Sequence, residues 1–206
     1  MSYKFLFLFA LLFGLSHCPA LITADPHVSR LHLTHKISKV SGEPLVQNAC
    51  RGVGDYESEC ILKLQSAPPH QKADGNGLAF FTLRFVEDHA ANLSDAIKKT
   101  GTNPDLYPLL QSAISDCLVQ YNPLDDLVEN AINAVLANAY SDAIQFIEAA
   151  ISNTEECDSE LKTSYLEEKA EGKQGEEVQF AARDLKENNM FLKNMLSAAL
   201  NIVKAN

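Results

Sequence analysis

Apolar residues recur at Leu110, Ile114, Cys117, Tyr121, Leu124, Val128, Ala131 and Val135, in alternating steps of four and three. Such steps average about 3.5 residues, the period at which a helix packs lengthwise against other helices. The pattern predicts a main rod of a helical bundle over residues 105–138. Pro123 falls inside it, where a proline removes one backbone hydrogen bond and presses on the preceding turn. The seam nevertheless keeps its phase across Pro123, and a helix that stopped and restarted would have no reason to preserve it. One kinked helix is therefore expected, rather than two shorter ones.

Three more rods follow the same logic. Residues 78–99 carry Ala79, Leu83, Val86, Ala90, Leu93 and Ile97 in one seam. Leu78, Phe80, Phe81 and Phe85 make that helix apolar on other sides at its start, where a second cover, the cysteine-bearing segment before it, is expected. A helix capped near Ser141 and Asp142 carries Ile144, Ile147 and Ile151 toward Cys157, and the charged stretch 158–175, with Gly172 and Gly175, reads as a crossing or loop. The last helix, from Glu176 to about Lys204, repeats by sevens in two rows: Val178, Leu185, Leu192 and Ala199, then Ala182, Asn189, Leu196 and Val203. Asn189 is the one polar member, and a lone polar seam residue commonly fixes register. Ahead of the rods, short helical pieces over 45–51 and 56–64 flank Gly52-Val53-Gly54-Asp55, with Asp55 as the N-cap of the second. Pro68-Pro69 and Asp74-Gly75-Asn76-Gly77 read as a loop and a turn. No stretch alternates with period two for long enough to predict a strand. The fold class is all-α: a four-helix bundle preceded by a short disulfide-clamped helical hairpin.

Composition adds a compartment. Lys4, the apolar run 5–15 and the Cys18-Pro19-Ala20 pattern have the layout of a secretory signal peptide over residues 1–20, and the run is too short to span a bilayer. Cleavage after Ala20 removes Cys18, which turns five cysteines into four, the even number expected of a secreted chain. Cys50, Cys60, Cys117 and Cys157 allow three pairings, with proximity favouring Cys50 with Cys60. Residues 21–43 hold Arg30, Lys36, Lys39 and three histidines among scattered apolar positions and read as a mobile arm, leaving 44–206 for the helical domain. The formal net charge of −10 argues against nucleic acid and anionic membranes as partners and suits a basic protein.

Catalytic patterns are missing. The chain has no Glu-x-x-His or His-Glu-x-x-His metal motif, no Gly-x-Ser-x-Gly elbow and no phosphate loop. Asp74-Gly75-Asn76-Gly77 lacks calcium-loop spacing and a closing glutamate. His27, His32 and His35 lack a rigid scaffold and a fourth ligand, while His89 on a helix reads as a surface or packing residue. Neither enzyme activity, cofactor nor metal is expected. The sequon Asn92-Leu93-Ser94 marks Asn92 as a candidate for N-glycosylation on the side of its helix away from the seam.

Several segments in order carry a family resemblance: Ala49-Cys50 and Glu59-Cys60-Ile61-Leu62-Lys63-Leu64, Asp116-Cys117-Leu118-Val119-Gln120-Tyr121, Ile147-Glu148-Ala149-Ala150-Ile151-Ser152 before Cys157, and Leu196-Ser197-Ala198-Ala199-Leu200-Asn201-Ile202. Together they resemble the plant invertase and pectin methylesterase inhibitor family, from about Leu45 to Val203. The resemblance implies the pairings Cys50–Cys60 and Cys117–Cys157. It also implies a monomeric protein in the apoplast, or in the vacuole, that blocks a carbohydrate-active enzyme of the plant cell wall. Invertase inhibitors of this family resemble one another in a Pro-Lys-Phe element after the long helix; here that turn reads Asn138-Ala139-Tyr140-Ser141. The missing element points to pectin methylesterase as the target, with acid invertase as the alternative and Tyr140 as the ring such a turn would present. Pro123 and the basic arm also depart from the family pattern. A non-inhibitory storage or ligand-binding bundle is the remaining reading, and it predicts a sizeable apolar cavity among the helices.

Overall fold

A computed structural model describes residues 42–171 and 176–206, side chains at 165–171 and 176–179 excepted. Described residues form α1 (Glu43–Cys50), a 3-10 turn η1 (Gly54–Tyr56), α2 (Glu57–Gln65), α3 (Gly75–Gly101), α4 (Pro108–Tyr121), α5 (Leu124–Leu136), α6 (Tyr140–Glu171) and α7 (Glu176–Lys204), and no strand lies among them. The expected signal peptide and the arm up to residue 41, with its three histidines, lie outside the described residues; Glu43 opens α1 rather than closing the arm.

The bundle has four rods. In cyclic order they are α3, then α4 with α5, then α6, then α7, so α3 and α6 sit on one diagonal and the α4–α5 rod and α7 on the other. Every apolar residue in the seam from Leu110 to Val135 is buried, as is the whole predicted seam of α3. Leu185, Leu192, Leu196, Ala199 and Val203 fill the core from α7.

Pro123 interrupts the main rod instead of kinking it. α4 ends at Tyr121 and α5 begins at Leu124, yet the phase survives because the two intervening residues stay close to helical geometry, at φ −56°, ψ −45° for Asn122 and φ −83°, ψ −4° for Pro123. The proline costs the regular hydrogen bonding at that point, while packing of the seam keeps the two halves in line.

α6 departs most from expectation. Its helix runs on through Glu171, so residues 158–171 of the segment read as a crossing or loop are helical; 172–175 lie outside the described residues. Its buried face is Ala143, Ile147, Ala150, Thr154, Cys157, Leu161 and Ser164, while Ile144 and Ile151 are only half-buried. The three-and-four rhythm is present in α6, written mostly in small and hydroxylated side chains around Ile147 and Leu161, and the half-buried Ile144 and Ile151 hid it. α6 starts at Tyr140, with the carbonyl of Ala139 accepting from the amides of Asp142 and Ala143, so Ser141 and Asp142 lie in the first turn and are not its cap.

Two smaller corrections concern the front. Asp74 is the N-cap of α3, its carboxylate accepting from the amide of Gly77 at 2.7 Å, so Gly75 to Gly77 belong to the helix and not to a turn. Glycine at 77 serves close approach, since a Cβ there would stand 2.7 Å from the carbonyl oxygen of Gln71. Tyr56, not Asp55, is the N-cap of α2, and Asp55 lies within η1.

Both disulfides join the partners expected from the resemblance. Cys50–Cys60 closes the hairpin of α1 and α2, with Cα atoms 5.7 Å apart, and Cys117–Cys157 ties α4 to α6 at a Cα separation of 4.5 Å. The hairpin leans mainly on α7, where the Asn201 side chain donates to the carbonyls of Ala49 at 3.0 Å and Arg51 at 3.2 Å, and it reaches α3 more narrowly. The cysteine corner is therefore less of a cover for the apolar start of α3 than the sequence suggests.

Candidate functional site

Two surfaces of the bundle come into question. The first is the turn between α5 and α6. Asn138 adopts φ 57°, its amide donates to the carbonyl of Val135, and the amide of Ala139 donates to that of Ala134. This closes α5 with a Schellman motif, in which a left-handed residue lets the chain reverse while satisfying the last carbonyls. Asparagine tolerates that conformation better than other non-glycine residues.

The side chains of this turn are also fixed. The Asn76 amide of α3 donates to Asn138 Oδ1 at 2.8 Å, and the Tyr140 hydroxyl points at both Asn76 Oδ1 (2.8 Å) and Asn138 Oδ1 (2.9 Å). Tyr140 is half-buried and packs on the core, Ala139 is half-buried, and Ser141 is exposed. Thus the aromatic ring that the sequence offered as a projecting group is held against the bundle. The apolar group that does project here is Leu136, 62% exposed, beside an open groove of about 360 Å³ bordered by Asp74, Asn76 and Phe80.

The second surface lies between α4 and α6. Asp116, Val119 and Gln120 face Glu156, Ser159 and Glu160 across a groove of about 500 Å³, which continues past Ser112 and Thr163 to Leu109. Val119 is 60% exposed and Leu109 45%. The groove is thus acidic and carries two uncovered aliphatic side chains. Its spacing is set from behind, because Asp116 and Glu156 immediately precede the two cysteines of the α4–α6 disulfide. Sequence reasoning missed this groove, although an acid before each of two paired cysteines was the signal.

Asn92 is exposed on α3, with its side-chain amide donating to the carbonyl of Asp88 at 2.7 Å. His89 is packed, between the rings of Phe85 and Phe191. Among the described residues no three His, Cys, Asp or Glu side chains converge to hold a metal ion, and no helix is long and apolar enough to cross a membrane.

Comparison with known proteins agrees with this architecture. The sequence pattern of the family described as "Plant invertase/pectin methylesterase inhibitor" matches residues 44–202. A crystal structure of mutant form A of a pectin methylesterase inhibitor from Arabidopsis aligns at 17% identity and TM-score 0.57, covering 72% of this chain and 89% of that one. A pectin methylesterase inhibitor from Arabidopsis thaliana aligns at 17% identity and TM-score 0.51, covering 78% of this chain and 95% of that one. At that identity the likeness speaks for the fold. No curated protein matches the chain by sequence.

Proposed function

The chain belongs to the plant invertase/pectin methylesterase inhibitor family, and from that premise we propose that it is a secreted, monomeric inhibitor of pectin methylesterase. In this reading residues 1–20 are the signal peptide, the arm follows and ends before α1 at Glu43, and the target is an apoplastic cell-wall enzyme. The observation that carries the choice of target is the α5–α6 turn. It lacks Pro-Lys-Phe, and its one aromatic side chain, Tyr140, is tied down by Asn76 and Asn138 instead of projecting. The α4–α6 groove offers the contact surface in its place: its carboxylates suit a basic rim, and Leu109 and Val119 supply apolar contact area that water would leave on binding.

Invertase inhibition is the second reading, favoured by the exposure of Leu136 next to the turn. A storage role draws less support, since the grooves described above open at the surface and the largest core side chains are fully buried. The test is a panel of plant pectin methylesterases and acid invertases assayed with the purified mature chain at mildly acidic pH. Slowing of an esterase is expected; failure against the whole esterase panel rejects the proposal. Invertase inhibition that is lost in Tyr140→Ala would establish the second reading.

Asn92 is proposed as a glycan acceptor. It lies on the outer side of α3, the rod diagonal to α6, so a glycan there leaves the α4–α6 groove open. An intact-mass shift on glycosidase treatment of the plant-expressed protein reads this directly, and an unchanged mass rejects it.

A further inference from the structure

The hairpin meets the bundle through a small aromatic cluster built around a histidine. Phe85 and His89 of α3 stand with ring centroids 5.7 Å apart; Phe191 of α7 meets Phe85 at 5.9 Å and His89 at 5.4 Å, edge-on to both. From the hairpin, Tyr56 of η1 packs on Phe191 at 6.0 Å, and the Lys63 ammonium of α2 sits 3.8 Å from the centre of the Phe85 ring. The Tyr56 hydroxyl donates to the Glu187 carbonyl of α7 at 3.5 Å. His89 therefore stands one ring behind the hairpin, in contact with the two rings, Phe85 and Phe191, on which Lys63 and Tyr56 pack.

Its environment favours the neutral imidazole. The ring donates to the backbone carbonyl of Asn188, and Nε2 is buried with no hydrogen-bond partner. A second proton would go to Nε2, where nothing accepts it. The charged groups that bear on Tyr56 at this junction are Glu187 from α7, Glu59 from α2, Asp55 from η1 and Asp158 from α6, and the one that bears on His89 is Lys63 from α2. Lys63 is a like charge, and no carboxylate is paired with the imidazole.

We propose that the seating of the N-terminal hairpin on the bundle is controlled by protonation of His89. In mildly acidic solution α1, η1 and α2 loosen from α3 and α7, while the Cys50–Cys60 bridge keeps the hairpin itself closed. Desolvation holds the imidazole below its ordinary value of 6.5 against the opposing effect of the Asn188 carbonyl, and Lys63 adds a weaker push downward. The folded state thus binds fewer protons than an opened one. Docking is at full strength above about pH 6.5 and is lost as pH falls toward the folded-state value. Relief is local, because opening the hairpin takes Tyr56 and the Lys63 charge off the Phe191 and Phe85 rings that enclose His89 without breaking the four-rod core.

Amide hydrogen exchange on the mature chain, corrected for intrinsic pH dependence, tests this between pH 7.5 and 5. In the wild type, exchange in α2 should rise relative to α4 and α5, by about tenfold for each pH unit separating the folded and opened titrations of the imidazole. His89→Phe, which keeps the ring packing, and His89→Gln, which keeps polarity without titrating, should both show a flat response. An unchanged acid response in both variants, or a wild type whose α2 responds no more than α4, overturns the proposal. An NMR titration placing the His89 imidazole at or above 6.5 would also overturn it.

Discussion

Asn189 shows how one residue can serve several helices at once. It is fully buried in α7, where it accepts from the Tyr121 hydroxyl of α4 at 2.8 Å and donates to the Thr154 carbonyl of α6 at 2.9 Å. An amide carries both a donor and an acceptor, so this one side chain satisfies two buried polar groups from different rods. Burial pushes the Tyr121 phenol well above its usual range, which keeps it a donor over the whole physiological span. Asn189→Leu leaves the Tyr121 hydroxyl without its acceptor and is expected to cost about 2–3 kcal/mol, read as a drop in urea midpoint at unchanged slope. An unaltered midpoint would mean that water or another group replaces the amide. The sequence placed Asn189 in the seam and named a register role, but its partners were not legible. Tyr121 and Thr154 lie 68 and 35 residues away, and no local pattern encodes such a meeting.

At the scale of elements, the two disulfides differ in what they restrain. Cys117–Cys157 spans 40 residues and Cys50–Cys60 spans 10. On a chain-entropy basis they contribute about 4 kcal/mol and a little under 3 kcal/mol. Cys157→Ser is accordingly expected to lower the melting temperature more than Cys60→Ser in a calorimetric scan, and the reverse order would show that the hairpin stabilises the bundle more than its loop length implies. Helices with large apolar seams, α3, α5 and α7, could be located from periodicity alone. α6 could not be completed, because alanine, threonine and serine hold many of its buried positions and signal weakly as apolar residues. Pro123 misled in the other direction: seam phase is set by which face is buried, whereas continuity of the helix is set by local hydrogen bonding, and the two need not agree.

For the molecule as a whole, charge and shape converge on the α4–α6 groove. Asp116 and Glu160 can be changed without touching the core, since both are exposed. Asp116→Lys with Glu160→Lys is expected to slow association with a susceptible pectin methylesterase by about tenfold or more, chiefly through the on-rate. Rising ionic strength should weaken the wild type but have little effect on the double variant, as stopped-flow inhibition would reveal. Equal rates for both proteins would move the contact surface elsewhere, with the Leu136 end of the bundle next in line. By itself, the sequence determined the all-α class, the four rods, most of the core and the family, because these follow from periodicities and cysteine segments that survive in one dimension. Tertiary structure decided the interruption at Pro123, the true length and face of α6, the restraint on Tyr140 and the acidic groove. Each of those depends on which distant residues are brought side by side, and helical spacing along one chain carries no record of its neighbours.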